Sequence, residues 1–381
     1  MTKDRTLPKA IAALGLSLLL AVSCNKNPKE ADAPEQKQAD SIQKENTDTS
    51  NDLKPTGPAP EWGKSIKDEM AVVIEKLGTL GGKPIETLTA QEARQQPTPT
   101  DAVKAVMADH NMQMPTPTCD TIGKDIPVTG GKTHIRIYTP KGGQAPYPVT
   151  VYYHGGGFVI ANIEVYNGGA QGLCEQTKGI VVSVEYPKGP EKKFPAAHQT
   201  AFDAYKWVLA NAASFKGDPK KVAVAGESAG GNLACNVSIM ARDKKIQLPL
   251  YQVLVYPVAN NDMNSESYKK YANAKPLNKA MMGWFVKNAL PSEAMAADPR
   301  VSLVKANLAG LPPTLIIGAE IDPLASEGKL LSDKLKDAKV DTKYQMYDGV
   351  THEFFGMAVV VPQAAEAQKL AADELKSAFG M

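Results

Sequence analysis

The chain has 381 residues, enough for one large core with a cap or for two small domains. Hydrophobic residues make up 43% and charged residues 22%, the balance of an ordinary globular protein. With 43 basic against 41 acidic residues the net charge is +2, which leaves no long-range field for nucleic acid and excludes it as an expected partner.

Lys3, Arg5 and Lys9 precede an apolar run from Ala10 to Val22, which ends at Ala21-Val22-Ser23-Cys24. That order reads as a secretory signal over residues 1–23, and the run is shorter than the roughly 20 apolar residues that a membrane span needs. A cysteine directly after small residues resembles a bacterial lipobox, which implies that Cys24 is acylated and becomes the mature N-terminus. The protein is then expected to be exported across the inner membrane. It would be held to an envelope membrane, on the periplasmic or surface side, by lipid alone. Residues 25–60 are Lys, Glu, Asp, Gln, Ser and Pro with almost nothing apolar, and are expected to be a disordered tether. The folded part is expected over 61–381.

Ile66, Met70, Val73, Ile74 and Leu77 recur at helical spacing until Gly81-Gly82. A second helix is expected from Asp101 to about Asn111, with Thr100 as its N-cap. The period then becomes two. After the Gly130-Gly131 turn, Ile135 and Ile137 alternate with His134, Arg136 and Tyr138, as in a half-buried strand. Short apolar runs follow at Val149–Tyr153, Ile180–Val184, Val222–Ala225, Val253–Tyr256 and Leu315–Ile317. Helical stretches separate them, such as the face of Ala201, Tyr205, Val208 and Ala212 beyond His198. Continuous apolar strands alternating with amphipathic helices predict an α/β fold with a mostly parallel sheet covered on both faces. From Asn260 to Asp298 the alternation gives way to Tyr268, Tyr271, Met281, Met282, Trp284 and Phe285, read as a lid over a site.

Beyond Cys24 the chain has Cys119, Cys174 and Cys235, so at most one disulfide can form. No Cys/His spacing suggests a metal site, and Cys174 and Cys235 read as small buried residues within helices.

The chemistry is carried by a few loops. Gly226-Glu227-Ser228-Ala229-Gly230 lies between a strand and a helix, where a sharp turn would lift a serine hydroxyl out at the end of the sheet. The helix N-terminus behind it favours developing negative charge. His154-Gly155-Gly156-Gly157 follows another strand, and its glycines let backbone N–H groups approach a ligand. Together with the N–H of Ala229 they make a candidate oxyanion hole, with His154 bracing the loop.

These segments, with Glu185-Tyr186, Pro190-Glu191 and Phe194-Pro195-Ala196-Ala197, resemble the bacterial hormone-sensitive-lipase-like esterases over about residues 133–355. The resemblance implies a capped α/β-hydrolase fold, no cofactor, and a serine, aspartate and histidine in that chain order. It also implies a cap built from about 61–125 and 260–298, and places the oxyanion donors of the glycine run at Gly156 and Gly157. The acid is then expected in Leu315–Glu320 followed by Asp322-Pro323-Leu324. Asp322 is the candidate, though Asp before Pro also suits a helix N-cap, and Glu320 is the fallback. His352, after the alternating Thr342, Tyr344 and Met346, is the base candidate; His110, His134 and His198 lie in a cap or linker, a strand and a helix start.

Departures from the family pattern are Pro187-Lys188-Gly189, Glu227 where Asp is usual, and Glu353 at a variable place where Gly is common. The expected activity is hydrolysis of small-molecule esters, short-acyl by resemblance, through an acyl-enzyme on Ser228. The alternatives are a serine peptidase of the same fold, disfavoured because no propeller repeats occur, and a binding module that has lost catalysis.

Overall fold

The computed structural model describes residues 53–381. The expected signal peptide, Cys24 and most of the expected tether lie outside the described residues. The tether expected to reach Pro60 is already placed from Leu53, whose side chain is 2% exposed. The reason is Glu75, which accepts from the N–H groups of Thr56 and Gly57 at 2.8 and 2.9 Å and pins this polar stretch to the first helix.

Among the described residues eight strands form one sheet: β1 Cys119–Val128, β2 Gly131–Pro140, β3 Tyr147–Tyr153, β4 Ile180–Glu185, β5 Gly217–Glu227, β6 Gln252–Val255, β7 Thr314–Ile321 and β8 Thr342–Thr351. Their spatial order is β1-β2-β4-β3-β5-β6-β7-β8, antiparallel for β1/β2 and β2/β4 and parallel from β4 to β8. The helices are α1 Asp68–Thr79, α2 Ala90–Ala93, α3 Pro99–Asp109, α4 Asn167–Thr177, α5 Ala196–Asn211, α6 Ala229–Asp243, α7 Glu266–Lys270, α8 Lys279–Ala289, α9 Ala325–Asp337 and α10 Pro362–Phe379.

The central strands are apolar on both faces because helices cover both. Along β3 and β5, Val149, Val151, Tyr153, Val222 and Val224 pack with α5, α6 and α9. Tyr152, Ala223 and Ala225 point the other way, into a second cluster with α1, α3, α4 and α10. A two-residue period thus divides each continuous apolar run between two cores. After β3 the chain passes to β4 on one side and then returns to β5 on the other. The crevice outside the carboxyl ends of β3 and β5 is therefore the place where an open α/β sheet binds ligands.

Two expectations need correction. The second N-terminal helix begins at Pro99, and its N-cap is Thr98, whose Oγ1 accepts from Asp101 N while Asp101 receives the N–H of Thr98. Proline at the first helical position and this reciprocal box start the helix two residues earlier than the Thr100 assignment. Strand β1 was absent from the sequence reading; from Asp120 to Asp125 both of its faces are exposed, so it has no apolar alternation. Cys119, Cys174 and Cys235 are buried free thiols.

Candidate active site

The turn from β5 to α6 places Ser228 at φ 56° and ψ −117°, a strained conformation for a residue with a side chain. Backbone bonds enforce it: Ser228 N donates to Val255 O at 2.8 Å, and Val258 N and Asn232 N each donate to Ser228 O at 3.1 Å. No side chain fits two residues away on either side. A Cβ on Gly226 would lie 2.2 Å from Gly230 O, and one on Gly230 would lie 1.9 Å from Tyr153 O.

His352 and Asp322 meet Ser228 from the loops after β8 and β7. His352 Nε2 lies 2.9 Å from Ser228 Oγ, and His352 Nδ1 lies 2.7 Å from Asp322 Oδ2. The other carboxylate oxygen of Asp322 accepts from Leu324 N at 2.8 Å, which fixes its plane. Ser228, His352 and Asp322 are 5%, 2% and 0% exposed. Burial alone would lower the imidazole's proton affinity, but the charge and hydrogen bond of Asp322, with the nearby Glu353 and Glu227, outweigh it and raise His352 above its ordinary range. The fallback acid Glu320 is turned away, accepting from Ser65 Oγ and Gly349 N.

The remaining histidines sit elsewhere. Burial pushes His154 down to about 4 and His198 likewise to about 4, so both are neutral at neutral pH. His154 stacks on Tyr186 at 4.2 Å and its Nδ1 bonds Gly155 O at 2.7 Å, bracing the glycine loop. His198 Nε2 lies 3.0 Å from Asn232 Oδ1 beneath the serine turn. His134 pairs with Asp125 on the exposed hairpin, and His110 caps α3.

Gly156 and Gly157 adopt φ +97° and +59° and line a cavity of about 520 Å³ together with Ser228 and His352. Among the described residues no protein acceptor pairs with the N–H of Gly156, Gly157 or Ala229. Gly155 does not line the cavity; the Tyr166 hydroxyl fills the space where its Cβ would stand, 2.2 Å away. The walls are Ile74 and Leu77 of α1, Thr98 and Pro99 at the start of α3, and Leu277, Met282 and Phe285 of the 260–298 segment. Trp284 Nε1 donates to Leu88 O at 2.9 Å, tying that segment to the N-terminal helices. Arg94 joins this wall to the sheet, donating to Val159 O, Gly189 O and both oxygens of Glu191.

Several supporting groups escaped the sequence reading. The hydroxyls of Tyr152 and Tyr256 donate to Glu227, and burial raises that carboxyl to about 8 despite them. Asn232 Nδ2 donates to Val258 O and Val301 O. Glu327, also raised to about 8 by burial, accepts from Ala259 N at 2.8 Å. Each partner is remote in sequence, so no local pattern announces it.

The family model for the alpha/beta hydrolase fold matches residues 150–356, which run from within β3 through the glycine loop and the serine turn to the histidine loop. The chain belongs to the α/β-hydrolase family. Carboxylesterase NlhH of Mycobacterium tuberculosis is 34% identical over 249 residues, 64% of this chain and 78% of that relative. Ethyl acetate hydrolase of Pseudomonas putida is 28% identical over 323 residues, 82% and 99% of the two chains. Among solved structures, a hyperthermophilic esterase from the archaeon Pyrobaculum calidifontis superposes with a TM-score of 0.72. That match is 35% identical and covers 80% of this chain and 97% of the other. The likeness supports the hormone-sensitive-lipase-like resemblance without confining it to bacteria. This α/β-hydrolase is a carboxylic ester hydrolase.

Proposed function

We propose that the enzyme hydrolyses short-acyl esters through an acyl-enzyme on Ser228. The observation that carries this reading is the hydrogen-bonded line Ser228–His352–Asp322, whose serine and histidine line a cavity with Gly156 and Gly157, and the unpaired N–H groups of Gly156, Gly157 and Ala229 beside it. Ser228 Oγ attacks the ester carbonyl as His352 Nε2 takes its proton, and Asp322 stabilises the imidazolium. The carbonyl electron pair collects on oxygen, held by the three N–H groups. On collapse the ester C–O bond breaks, and His352 returns its proton to the departing alcohol. Water, deprotonated by the same histidine, then releases the acid and restores the serine. No step calls on a cofactor.

The preference for short chains rests on the name of the ethyl acetate hydrolase relative and on the apolar cap side chains that wall the cavity. The cap is assigned to about 260–298 and to the N-terminal segment from about 61, which ends before Cys119 rather than at 125 because β1 of the sheet begins there, and the bond from Trp284 to Leu88 O supports the pairing of the two. Attachment to an envelope membrane through acylated Cys24 is supported by the sequence from Lys3 to Cys24 alone. Metabolic labelling with palmitate, lost in Cys24→Ala, tests the anchor. For the activity, kcat/KM is measured on p-nitrophenyl esters from acetate to palmitate. A maximum at the short esters is expected, and a maximum at palmitate would overturn the acyl assignment.

A further inference from the structure

Glu353 follows His352 directly and stands at φ +73°, where glycine is free of strain and a glutamate is held at a cost. Its side chain is not left to solvent. Oε1 accepts from the Tyr166 hydroxyl at 2.5 Å, which fixes the carboxyl against the glycine loop, where the same hydroxyl fills the space beside Gly155. Among the described residues no donor reaches Oε2. Glu353 lines the cavity beside Ser228, His352, Asn162 and Tyr166. A strained backbone therefore presents one fixed, unpaired acceptor to the space in which an ester must lie.

Leu277, Met282 and Phe285 of the cavity wall offer no polar partner to a substrate. An ester with a hydroxyl on the Glu353 side would satisfy Oε2, whereas a plain alkyl ester leaves that acceptor without a partner once water is displaced. Lys83, Lys188 and Lys275 line the cavity against one other carboxylate, Glu86, and together oppose a substrate ammonium, so a neutral hydroxyl is the better match than a cation. Because Asp322 already holds the imidazole, orienting His352 does not require Glu353.

We propose that Glu353 is a specificity-determining residue that makes this pocket prefer esters bearing a hydroxyl a few bonds from the scissile carbonyl. The proposal rests on the reading of Ser228 as nucleophile in the same cavity.

The test compares kcat/KM within isosteric pairs: methyl 3-hydroxybutanoate against methyl 3-methylbutanoate, and 2-hydroxyethyl butanoate against propyl butanoate. Wild-type enzyme should favour the hydroxyl member of one pair by about tenfold or more, the usual worth of a hydrogen bond to a charged group. In Glu353→Gly, which suits the positive φ, that ratio should fall to near unity whatever happens to the plain esters. Glu353→Gln, of unchanged size, should lower the ratio in the same direction and serves if the glycine variant does not fold. A merely structural Glu353 would change both members of a pair alike; a ratio that is flat in the wild type, or unmoved in both variants, overturns the proposal. Hydrolysis surviving in Ser228→Ala would instead overturn the nucleophile assignment, and is read separately from the ratio.

Discussion

Replacing Gly157 by alanine puts a Cβ 2.3 Å from Phe285 Cδ1 and 2.4 Å from Cγ, where carbon atoms need about 3.5–4.0 Å. Two penalties then act on the loop. The φ of +59° is left-handed and costs an alanine roughly 1–2 kcal/mol, and overpacking against the Phe285 ring adds typically about 1–3 kcal/mol. The loop can relieve both only by moving its N–H groups away from the Ser228 hydroxyl. Losing one oxyanion donor raises the barrier by about 2.7–4 kcal/mol, so kcat on p-nitrophenyl acetate should fall about 10²–10³-fold. Because most of the clash is with one flexible side chain, Phe285→Ala in the same molecule should recover about tenfold or more, with the residual loss set by φ. The assay is a double-mutant cycle in kcat, with thermal unfolding to show that each variant is folded. Wild-type kcat in a folded Gly157→Ala enzyme would refute the oxyanion assignment. Strict additivity would refute the clash with Phe285 as the cause.

Asp322→Asn should leave the Leu324 contact in place but lower kcat by about 10⁴, as loss of the acid elsewhere does by releasing the imidazole tautomer. The rate should fall as pH drops through the His352 transition, which lies above about 6.5 in the wild type and moves down in Asp322→Asn; a transition that does not move contradicts the pair. The sign for stability is opposite. The imidazolium–carboxylate contribution is present in full below about 6.5 and is lost as pH rises through the raised value. Glu227 is an acid whose folded value is raised from 4.5 to about 8, so the native state holds the extra proton between those values and stability declines as pH rises through that window. Glu227→Gln should flatten that part of the melting-temperature profile, and an unchanged slope would place its cause elsewhere.

Much of the sheet was legible because the central strands are buried on both faces, which leaves continuous runs such as Val222–Ala225 and Leu315–Ile317. The same physics hid β1, whose residues from Asp120 to Asp125 meet solvent on both sides and so carry no hydrophobic period. In the site, Ser228 was legible from the glycine-flanked turn between a strand and a helix, and Asp322 and His352 from the chain order that the family resemblance implies, each at a strand end. The tyrosines were not: Tyr152 and Glu227 are 75 residues apart, and only the register of β3 on β5 brings them together. Glu353 was legible as a departure from glycine, but its free oxygen became visible only with the Tyr166 bond in place.

The central claim is that Ser228 becomes covalently acylated, and intact-protein and peptide mass spectrometry after reaction with a fluorophosphonate tests it most directly. The account predicts one adduct per chain, on the peptide containing Ser228, and none in Ser228→Ala. An adduct on another residue, or a folded wild-type enzyme that hydrolyses esters yet takes up no label, would contradict it.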